Sequence, residues 1–361
     1  MKNVITKTLV ASAISTAMLA GAVQAEVTMV SWGGGYAASQ QKAYIDTYNT
    51  GDVNLISYNG GLGEIRAQVE SGNVQWDIAD VFPHEARVGC DEGLFEELPR
   101  NVFMPAPDGT AMDDDLLVER PNDCVAPQIW WSYVPFHKGD TFSGEQPSTI
   151  QDFFDVEKFP GKRGIHTWPN ALIEMALYAD GVAIADVYDV MSTDEGIDRA
   201  FAKLDTIKDH AVFWSAGAKP LDLVGSGEVS MSLAYNGRIG GAILSEGADF
   251  HVVWDGQVLE EEWIVMLKGT PNYAEALHFM VHATTTEQQA GQAKWINYGP
   301  MRKSAIPLLE ANEPFFHTGV DIMPHMPNTP ALMENTIVAD PVWWADNGEA
   351  VADRYSAWMA N

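Results

Sequence analysis

Short apolar runs alternate with segments of helical spacing in the part of the chain that follows residue 26. Residues 27–31 form a first apolar run, and a glycine turn separates it from Tyr44, Ile45 and Tyr48, which return to the helical face of Ala37. The same alternation predicts strands at 53–58 and 76–81 and helices at 62–71 and 85–92. A chain that alternates strands and helices in this way predicts an α/β domain with a mostly parallel sheet.

Two longer extended runs, at residues 124–135 and 262–267, are apolar and aromatic, and a loop-rich segment at 98–122 precedes the first. Elsewhere the pattern predicts helices after Thr149 and Thr193 and at 171–178, alternation returning at 221–224, strands at 229–235 and 250–254, helices at 273–282 and 287–295, and a helical tail at 338–358. Two long runs that join two α/β halves indicate a two-strand hinge, of the kind that closes lobes over a ligand. We therefore expect lobe 1 at 26–133 plus 264–318 and lobe 2 at 134–263 plus 319–361.

The first residues have the composition of a secretory signal peptide. Lys2 and Lys7 lead into an apolar stretch at 9–22, and the small-residue sequence Val23-Gln24-Ala25 follows. We predict a signal peptide at 1–25, a mature protein that begins near Glu26, and a periplasmic location. Because no cysteine stands at the cleavage point, no lipid anchor is expected.

The chain is strongly acidic, with 50 Asp and Glu against 21 Lys and Arg and a formal net charge of −29. Such a surface repels nucleic acid and anionic membranes, so neither is expected as a partner. A solvated acidic surface suited to a salty habitat accounts for most of this charge without a functional role.

The chain contains two cysteines, Cys90 and Cys124. An even number in an exported protein predicts one disulfide, and two free buried thiols are the alternative. On the chain-entropy account, the bond would stabilise the fold by roughly 3–4 kcal/mol. Two cysteines alone do not make a metal site, and no metal or cofactor is expected.

The turn after the first predicted strand carries two aromatic side chains, Trp32 and Tyr36. In open α/β sheets ligands bind at the carboxyl ends of the strands, and glycine lets the backbone approach a ligand closely. Asp80, at the end of the third predicted strand, is a candidate counter-charge, although it could equally cap the following turn. The pattern therefore predicts a small ligand held partly by Trp32 and Tyr36.

Spaced residues in the second half resemble the periplasmic spermidine/putrescine-binding proteins, which are type II solute-binding proteins of ABC importers. The residues that carry this resemblance are Tyr235-Asn236-Gly237, Val252-Val253-Trp254, Trp263 and Tyr298-Gly299-Pro300. The resemblance implies two α/β lobes, a two-strand hinge, a ligand boxed by aromatic side chains in the cleft between the lobes, and delivery to an inner-membrane ABC permease. By position it assigns ligand contacts to Trp32, Tyr36, Tyr235, Trp263 and Tyr298.

Departures from the family pattern change the expected ligand. Val265 stands where the family has an acid, residues 168–173 lack the family's acidic pair, and Trp343-Trp344 replace a polar amide. Fewer acids and one more aromatic favour a quaternary ammonium or sulfonium group, which aromatic faces bind by cation–π attraction. Trp214 and Trp344 therefore join the candidate ligand contacts, and each is equally a candidate for the core.

A betaine-like zwitterion would also need a partner for its carboxylate, for which an arginine fork is well suited. Arg66, Arg238 and Arg302 are the candidates, and the pattern does not choose among them. The alternative ligand is a polyamine or another amine. An exported hydrolase is the weakest alternative, because His278 and His282 lack the glutamate and third ligand of a metalloprotease site. We expect a monomeric receptor and no catalysis.

Overall fold

The computed structural model describes residues 26–311 and 318–360 of the chain. The signal peptide predicted at 1–25 lies outside the described residues. Within the described residues, no helix combines the length and the apolar character needed to cross a membrane.

The described strands are β1 (Val27–Ser31), β2 (Val53–Ser57), β3 (Ile78–Val81), β4 (Val125–Lys138), β5 (Arg163–His166), β6 (Ala211–Trp214), β7 (Met231–Tyr235), β8 (Phe250–Val252), β9 (Val258–Met266), β10 (Gly299–Pro300) and β11 (Ile337–Val338). They form one curled sheet with the order β2-β1-β3-β9-β4-β7-β5-β6, while β10 and β8 pair with β4, and β11 pairs with β9. The β1 pairings with β2 and β3 are parallel, as are the β5 pairings with β6 and β7. Each half of the sheet is therefore a parallel α/β unit, as the alternation predicts.

The described α-helices are α1 (Gly34–Gln40), α2 (Leu62–Ser71), α3 (Pro83–Asp91), α4 (Met112–Asp115), α5 (Ile150–Phe154), α6 (Leu172–Ala179), α7 (Val187–Met191), α8 (Asp194–Asp205), α9 (Lys219–Gly225), α10 (Asn236–Glu246), α11 (Tyr273–Ala283), α12 (Thr286–Ala293), α13 (Ile306–Glu310) and α14 (Pro341–Ala360). A π-helical turn, Gln41–Ile45, continues α1. Two predicted helix caps are present, because the hydroxyls of Thr149 and Thr193 accept hydrogen bonds from the backbone N–H groups of Asp152 and Gly196, respectively.

The strands β4 and β9 join the two halves. β9 pairs with β3 through its last four residues and with β4 along most of its length, and β4 continues into its pairings with β7 and β8. All of these pairings are antiparallel. Both long runs therefore cross between the lobes, and the predicted two-lobed α/β fold with a two-strand hinge is confirmed. The exact lobe boundaries stay a prediction.

Alternate residues of β9 face opposite sides of the sheet. Trp263 and Val265 pack in one core cluster, while Ile264 and Met266 pack in another. This two-residue period is the ordinary pleat of a strand. It determines which β9 side chains face the cleft between the lobes.

One local prediction is corrected, some elements were missed, and the predicted disulfide is confirmed. Residues 221–224 form the middle of helix α9 rather than a strand. The short strands β5 and β6 and the helix α10 were not predicted from the pattern. The predicted disulfide is present, with 6.0 Å between the Cα atoms of Cys90 and Cys124, and it ties α3 to the start of β4.

Candidate ligand-binding cavity

A cavity between the lobes encloses about 550 Å³ of empty space, part of it open to solvent. We call it the main cavity. Its lining residues are Trp32, Tyr36, Tyr58, Asn59, Phe82, Ile129, Trp131, His166, Trp168, Ser215, Gly217, Tyr235, Arg238, Glu262 and Tyr298. More than half of these side chains are aromatic, and Arg238 and Glu262 are the charged members of the set.

Lobe 1 supplies an aromatic stack from the carboxyl ends of its three parallel strands. Trp32 follows β1, Tyr58 follows β2 and Phe82 follows β3. The Trp32 ring stacks on Phe82 at 4.7 Å and on Tyr58 at 5.1 Å between ring centroids. Strand ends that meet at one edge of the sheet therefore bring together residues that are distant in sequence.

Two glycines make room for the rings. A Cβ at Gly60, where φ is 78°, would lie 2.4 Å from the Trp32 ring. A Cβ at Gly237 would lie 2.4 Å from the Tyr298 ring. Any larger residue at these positions would displace a wall of the cavity.

Glu262 projects from the hinge strand β9 into the main cavity. Its Oε1 accepts a hydrogen bond from Nε1 of Trp32 at 2.6 Å, and the residue is 2% exposed. Burial, and then the charge of Asp80, raise the pKa of Glu262 well above its ordinary value. A cation in the cavity would favour the ionised form of this carboxyl.

Lobe 2 contributes from the carboxyl ends of β5, β6 and β7. Trp168 follows β5, and Ser215 follows β6. Tyr235 ends β7, and Arg238 lies three residues later, in the first turn of α10. The guanidinium of Arg238 lies 5.9 Å from the Tyr235 ring centroid. Both lobes therefore present their strand ends to one cavity.

Arg238 links the two lobes by a hydrogen bond, and one of its N–H groups has no partner among the described residues. Its Nη2 donates to the backbone oxygen of Trp32 at 2.9 Å, across the cleft. Its Nε is buried and has no hydrogen-bond partner among the described residues. A buried guanidinium N–H without a partner is costly, and a carboxylate is the partner that best suits its geometry.

A polar layer lies behind Tyr36. The Tyr36 hydroxyl donates to Oδ1 of Asp80 at 3.2 Å and accepts from Nε2 of Gln128 at 3.0 Å. Asp80 is fully buried, also accepts from Nε2 of Gln40 at 2.9 Å, and does not line the cavity. Burial raises the pKa of Asp80 to about 7, and the hydrogen bond from Gln40 opposes this. Asp80 therefore positions Tyr36 from behind.

The structure brings together four of the eight candidate contact residues. Trp32, Tyr36, Tyr235 and Tyr298 line the main cavity. The other candidates, Asp80, Trp214, Trp263 and Trp344, lie outside its lining.

Trp214 and Trp344 are core residues of lobe 2. The Trp214 ring is nearly parallel to that of Tyr133 at 6.3 Å and meets His166 edge-on at 4.4 Å, so it stands one layer behind the cavity wall. Trp344 is buried in the tail helix, and its Nε1 donates to Oε1 of Glu174 at 2.7 Å. Trp344, the additional aromatic residue near the tail, therefore belongs to the core of lobe 2 and does not line the cavity.

The structure corrects the predicted position of Trp263. Its side chain is fully buried on the face of β9 opposite the cavity, where its Nε1 donates to Oε2 of Glu261 at 2.8 Å. The residue one position earlier, Glu262, faces the cavity instead. A shift of one residue along a strand exchanges the two faces, which is why an alignment by single spaced residues misplaces this position.

The expectation that the site has lost its acids is likewise corrected. Val265 is a core residue, but Glu262 lines the main cavity, and Glu260 lines a smaller one beside it. These carboxyls precede the crossover tryptophan, whereas the resemblance placed them after it. The signal in the sequence was the run Glu260-Glu261-Glu262 on a strand that otherwise reads as buried.

Among the three candidate arginines, Arg238 alone lines the main cavity. Arg66 pairs with Glu92 at 2.7 Å on the surface. Arg302 is fully buried and pairs with Asp115 at 2.6 Å. The pattern could not choose among them because each pairing depends on partners that are remote in sequence.

Sequence reasoning missed several lining residues: Tyr58, Asn59, Phe82, Ile129, Trp131, His166, Trp168, Ser215 and Gly217. Several of them follow directly after strands, and that position was the usable signal. Within residues 26–311 and 318–360, no group of three or more His, Cys, Asp and Glu side chains is arranged to hold a metal ion.

Comparison with known proteins gives consistent matches over nearly the whole chain. Residues 36–320 match the family described as bacterial extracellular solute-binding proteins. The chain is 36% identical to the gamma-aminobutyric acid-binding protein of Pseudomonas aeruginosa over 348 residues, which cover 94% of each chain.

Two solved structures are similar in both sequence and fold. The crystal structure of MotA from A. tumefaciens B6 in complex with glucopine is 27% identical, with a TM-score of 0.83 over 93% of this chain and 100% of that one. The structure of the Atu4243-GABA receptor is 29% identical, with a TM-score of 0.78 over 93% of this chain and 98% of that one.

Proposed function

This chain belongs to the family of bacterial extracellular solute-binding proteins, and from that premise we propose that it is a periplasmic receptor for a small methylated onium zwitterion. Betaine and sulfonium zwitterions are the ligands of this type. As a monomer, the receptor would deliver its ligand to an inner-membrane ABC permease. The predicted class, a solute-binding protein of an ABC importer, is confirmed by the family match over residues 36–320.

The single observation that carries the ligand proposal is the donor set at Arg238 within an aromatic cavity. The buried Nε of Arg238 has no partner among the described residues, and the side chain lines the main cavity. A ligand carboxylate would accept from this N–H group and would offset its desolvation. This supports a ligand with an anionic end, which a polyamine lacks.

The aromatic lining supports a cationic end without many N–H donors. Each ring face contributes roughly 0.5–2 kcal/mol to binding of a cation. A micromolar ligand needs about 8 kcal/mol, so several faces together with a carboxylate contact at Arg238 reach that range. One oxygen of the Glu262 carboxyl already accepts from Trp32, so an ammonium group would share this carboxyl with the indole.

A primary ω-amino acid such as gamma-aminobutyric acid is the second candidate ligand. The chain is 36% identical to a gamma-aminobutyric acid-binding protein, and such a ligand would also place its carboxylate at Arg238. The two candidates differ at the cationic end, which is methylated in one and carries three N–H donors in the other.

A thermal-shift screen followed by titration calorimetry separates these ligands. The panel contains glycine betaine, a sulfonium zwitterion, choline, gamma-aminobutyric acid, putrescine and spermidine. A ligand that binds only the folded state raises the melting temperature, and we expect the methylated zwitterions to raise it most. A larger shift with gamma-aminobutyric acid would select the second candidate. Shifts with the polyamines alone would reject both.

A further inference from the structure

A second compartment adjoins the main cavity and comprises about 290 Å³ of empty space, part of it open to solvent. Its lining residues are Phe82, Trp131, Tyr133, His166, Trp168, Asn170, Ala171, Tyr235 and Glu260. Phe82, Trp131, His166, Trp168 and Tyr235 also line the main cavity, so the two spaces adjoin along these side chains. Glu260 is the acid of this lining.

Glu260 is largely buried, but its carboxyl oxygens keep some exposure in the space that they line. Glu261 and Glu262 accept hydrogen bonds from Trp263 and Trp32, but no described residue donates to the side chain of Glu260, which is 7% exposed. A buried carboxyl without a donor or a counter-ion is costly to the fold. Such a group is explained when its partner is a ligand.

The geometry of β9 aims this carboxyl at the rings. Glu260 and Glu262 lie two residues apart and share one face of the strand. Glu260 stands opposite Trp131 of β4 in the sheet, which places the carboxyl beside that ring. Tyr133, Trp168 and Phe82 supply further ring surface around the same space.

We propose that Glu260 and the rings of the second compartment bind the positively charged head group of the ligand whose carboxylate is held by Arg238. This inference rests on the proposed function and adds the position of the cation. Tyr235 lines both spaces, so the ligand would pass beside its ring. The shared chemistry is a monocationic head group, either methylated onium or primary ammonium, beside one carboxylate and several aromatic faces.

The charges around Glu260 agree with this assignment. Burial, followed by the charges of Glu174, Glu261 and Glu85, raises the pKa of Glu260 well above its ordinary value. No arginine or lysine lines the second compartment among the described residues. A bound cation would therefore be the counter-ion that permits this carboxyl to ionise.

The test replaces Glu260 and compares a cationic ligand with its uncharged-head isostere. Glycine betaine and 3,3-dimethylbutanoate share the carboxylate and the shape of the head group, but only the first carries the positive charge. We expect Glu260→Gln to weaken glycine betaine at least about 30-fold, because a buried charge loses its partner. The same variant should bind 3,3-dimethylbutanoate as well as the wild type or better.

Glu261→Gln is the matched control, because Glu261 lies on the opposite face of the same strand and contacts Trp263. It should leave both affinities within about twofold of the wild type. The melting temperature of each empty variant is measured alongside. If Glu260→Gln does not fold, Glu260→Asp retains the charge on a shorter stem and should keep part of the preference for glycine betaine over the isostere.

The outcomes separate this inference from the proposed function. Unchanged affinity for glycine betaine in Glu260→Gln, with loss in Glu262→Gln, would overturn the assignment to Glu260 and leave the function standing. If gamma-aminobutyric acid proves to be the ligand, it is compared with pentanoate in the same way. A wild type that binds carboxylates but none of the cationic probes, choline included, would overturn both.

Discussion

Arg238 is the residue at which ligand recognition and lobe contact coincide. Its Nη2 donates to the backbone of Trp32 in the opposite lobe, while its buried Nε has no partner among the described residues. A ligand carboxylate at Nε would therefore bind to a side chain that already spans the cleft.

Replacing Arg238 by Met should discriminate between ligands with and without a carboxylate. We expect the affinity for glycine betaine to fall at least about 30-fold, because the carboxylate loses its charged donor. The affinity for choline, which lacks the carboxylate, should fall much less, because choline is affected only by loss of the Arg238 hydrogen bond to the backbone of Trp32. Calorimetric titration of both ligands measures the ratio. Arg199→Met, at a surface pair with Asp180, is the control. Equal losses for the two ligands would show that Arg238 acts on lobe closure alone.

Trp263 and Trp168 should respond in opposite ways to truncation. Trp263 is fully buried in the core of lobe 1, whereas Trp168 is half-buried and lines both cavity spaces. We expect Trp263→Ala to lower the free energy of unfolding by about 3–5 kcal/mol and to leave the dissociation constant of the folded protein nearly unchanged.

Trp168→Ala should lower stability less and weaken ligand binding more. Urea denaturation of the empty proteins and calorimetric titration of the ligand measure the two effects. Loss of binding in a stably folded Trp263→Ala variant would restore that residue to the site and contradict its buried position.

At the scale of elements, the sequence predicts both hinge strands and most of the longer helices, but it misses β5, β6 and the eleven-residue helix α10. The length of their apolar runs identifies the two hinge strands, and helical periodicity over eleven positions identifies α11. β5 and β6 have four residues each, and α9 alternates by chance over the four positions 221–224. Too few residues in these elements leave the period undefined.

The site was predicted in part for a related reason. Trp32 and Tyr36 follow a clear strand, and that position alone indicates the cleft. The choice between Glu262 and Trp263 depends on which face of β9 is turned to the cleft, and an apolar strand buried on both faces carries no alternation to decide it. Asp80 ends its strand as predicted, but the ring of Tyr36 stands in front of it.

The helix α6 carries a buried acid that should make folding stability depend on pH. Glu174 is fully buried, and its Oε1 accepts from the Tyr188 hydroxyl at 2.9 Å and from Trp344. Burial raises the pKa of Glu174 to about 7. The folded state then binds this proton more tightly than the unfolded state does. The contribution of Glu174 to the free energy of unfolding is therefore greatest below the unfolded pKa and is lost as pH rises through about 7.

Glu174→Gln should therefore flatten the fall in stability between about pH 5 and about pH 8, by roughly 3 kcal/mol at most. Urea denaturation across this range measures the slope for the variant and the wild type. Other buried acids, including Glu85 and Glu260, keep part of the slope in both proteins. Glu195→Gln, at an exposed position in the first turn of α8, is the control. An unchanged slope in Glu174→Gln would show that Glu174 is ionised in the folded protein.

At the scale of the whole molecule, the acidic residues on the surface and those around the cavity differ in how strongly salt screens them. The surface carries most of the 50 acidic residues, and salt screens them beyond a Debye length. The acids around the cavity are buried and are screened far less. Their combined effect on a cationic ligand therefore survives in salt that would suppress surface attraction.

Buried carboxyls lie in the wall of the cavity and behind it, on elements from both sides of the cleft and on the hinge. The acids concerned are Asp80 on β3, Glu85 on α3, Glu174 on α6, and Glu260 and Glu262 on β9. Glu260 and Glu262 line the two spaces, and the other three stand behind the lining. The other titratable groups that face this set include Arg238, His166, Glu261 and the hydroxyls of Tyr36, Tyr58, Tyr133, Tyr188, Tyr235 and Tyr298. Burial raises the pKa of each of these acids, so a part of them holds protons at neutral pH when the cavity is empty.

Binding of a cationic zwitterion should therefore release protons, and its affinity should rise with pH. A cation beside Glu260 and Glu262 lowers their pKa values and favours the ionised forms, so the protons leave as the ligand enters. Titration calorimetry near neutral pH in two buffers of different ionisation enthalpy measures the number of protons released, and the slope of log Ka against pH gives it independently. With 3,3-dimethylbutanoate, which has no positive charge, we expect no release or a small uptake, since an added anion raises the pKa values of the same acids. Equal affinities at about pH 6 and about pH 8, with no buffer dependence, would mean that these carboxyls do not change their protonation state on binding, which would contradict the predicted release of protons.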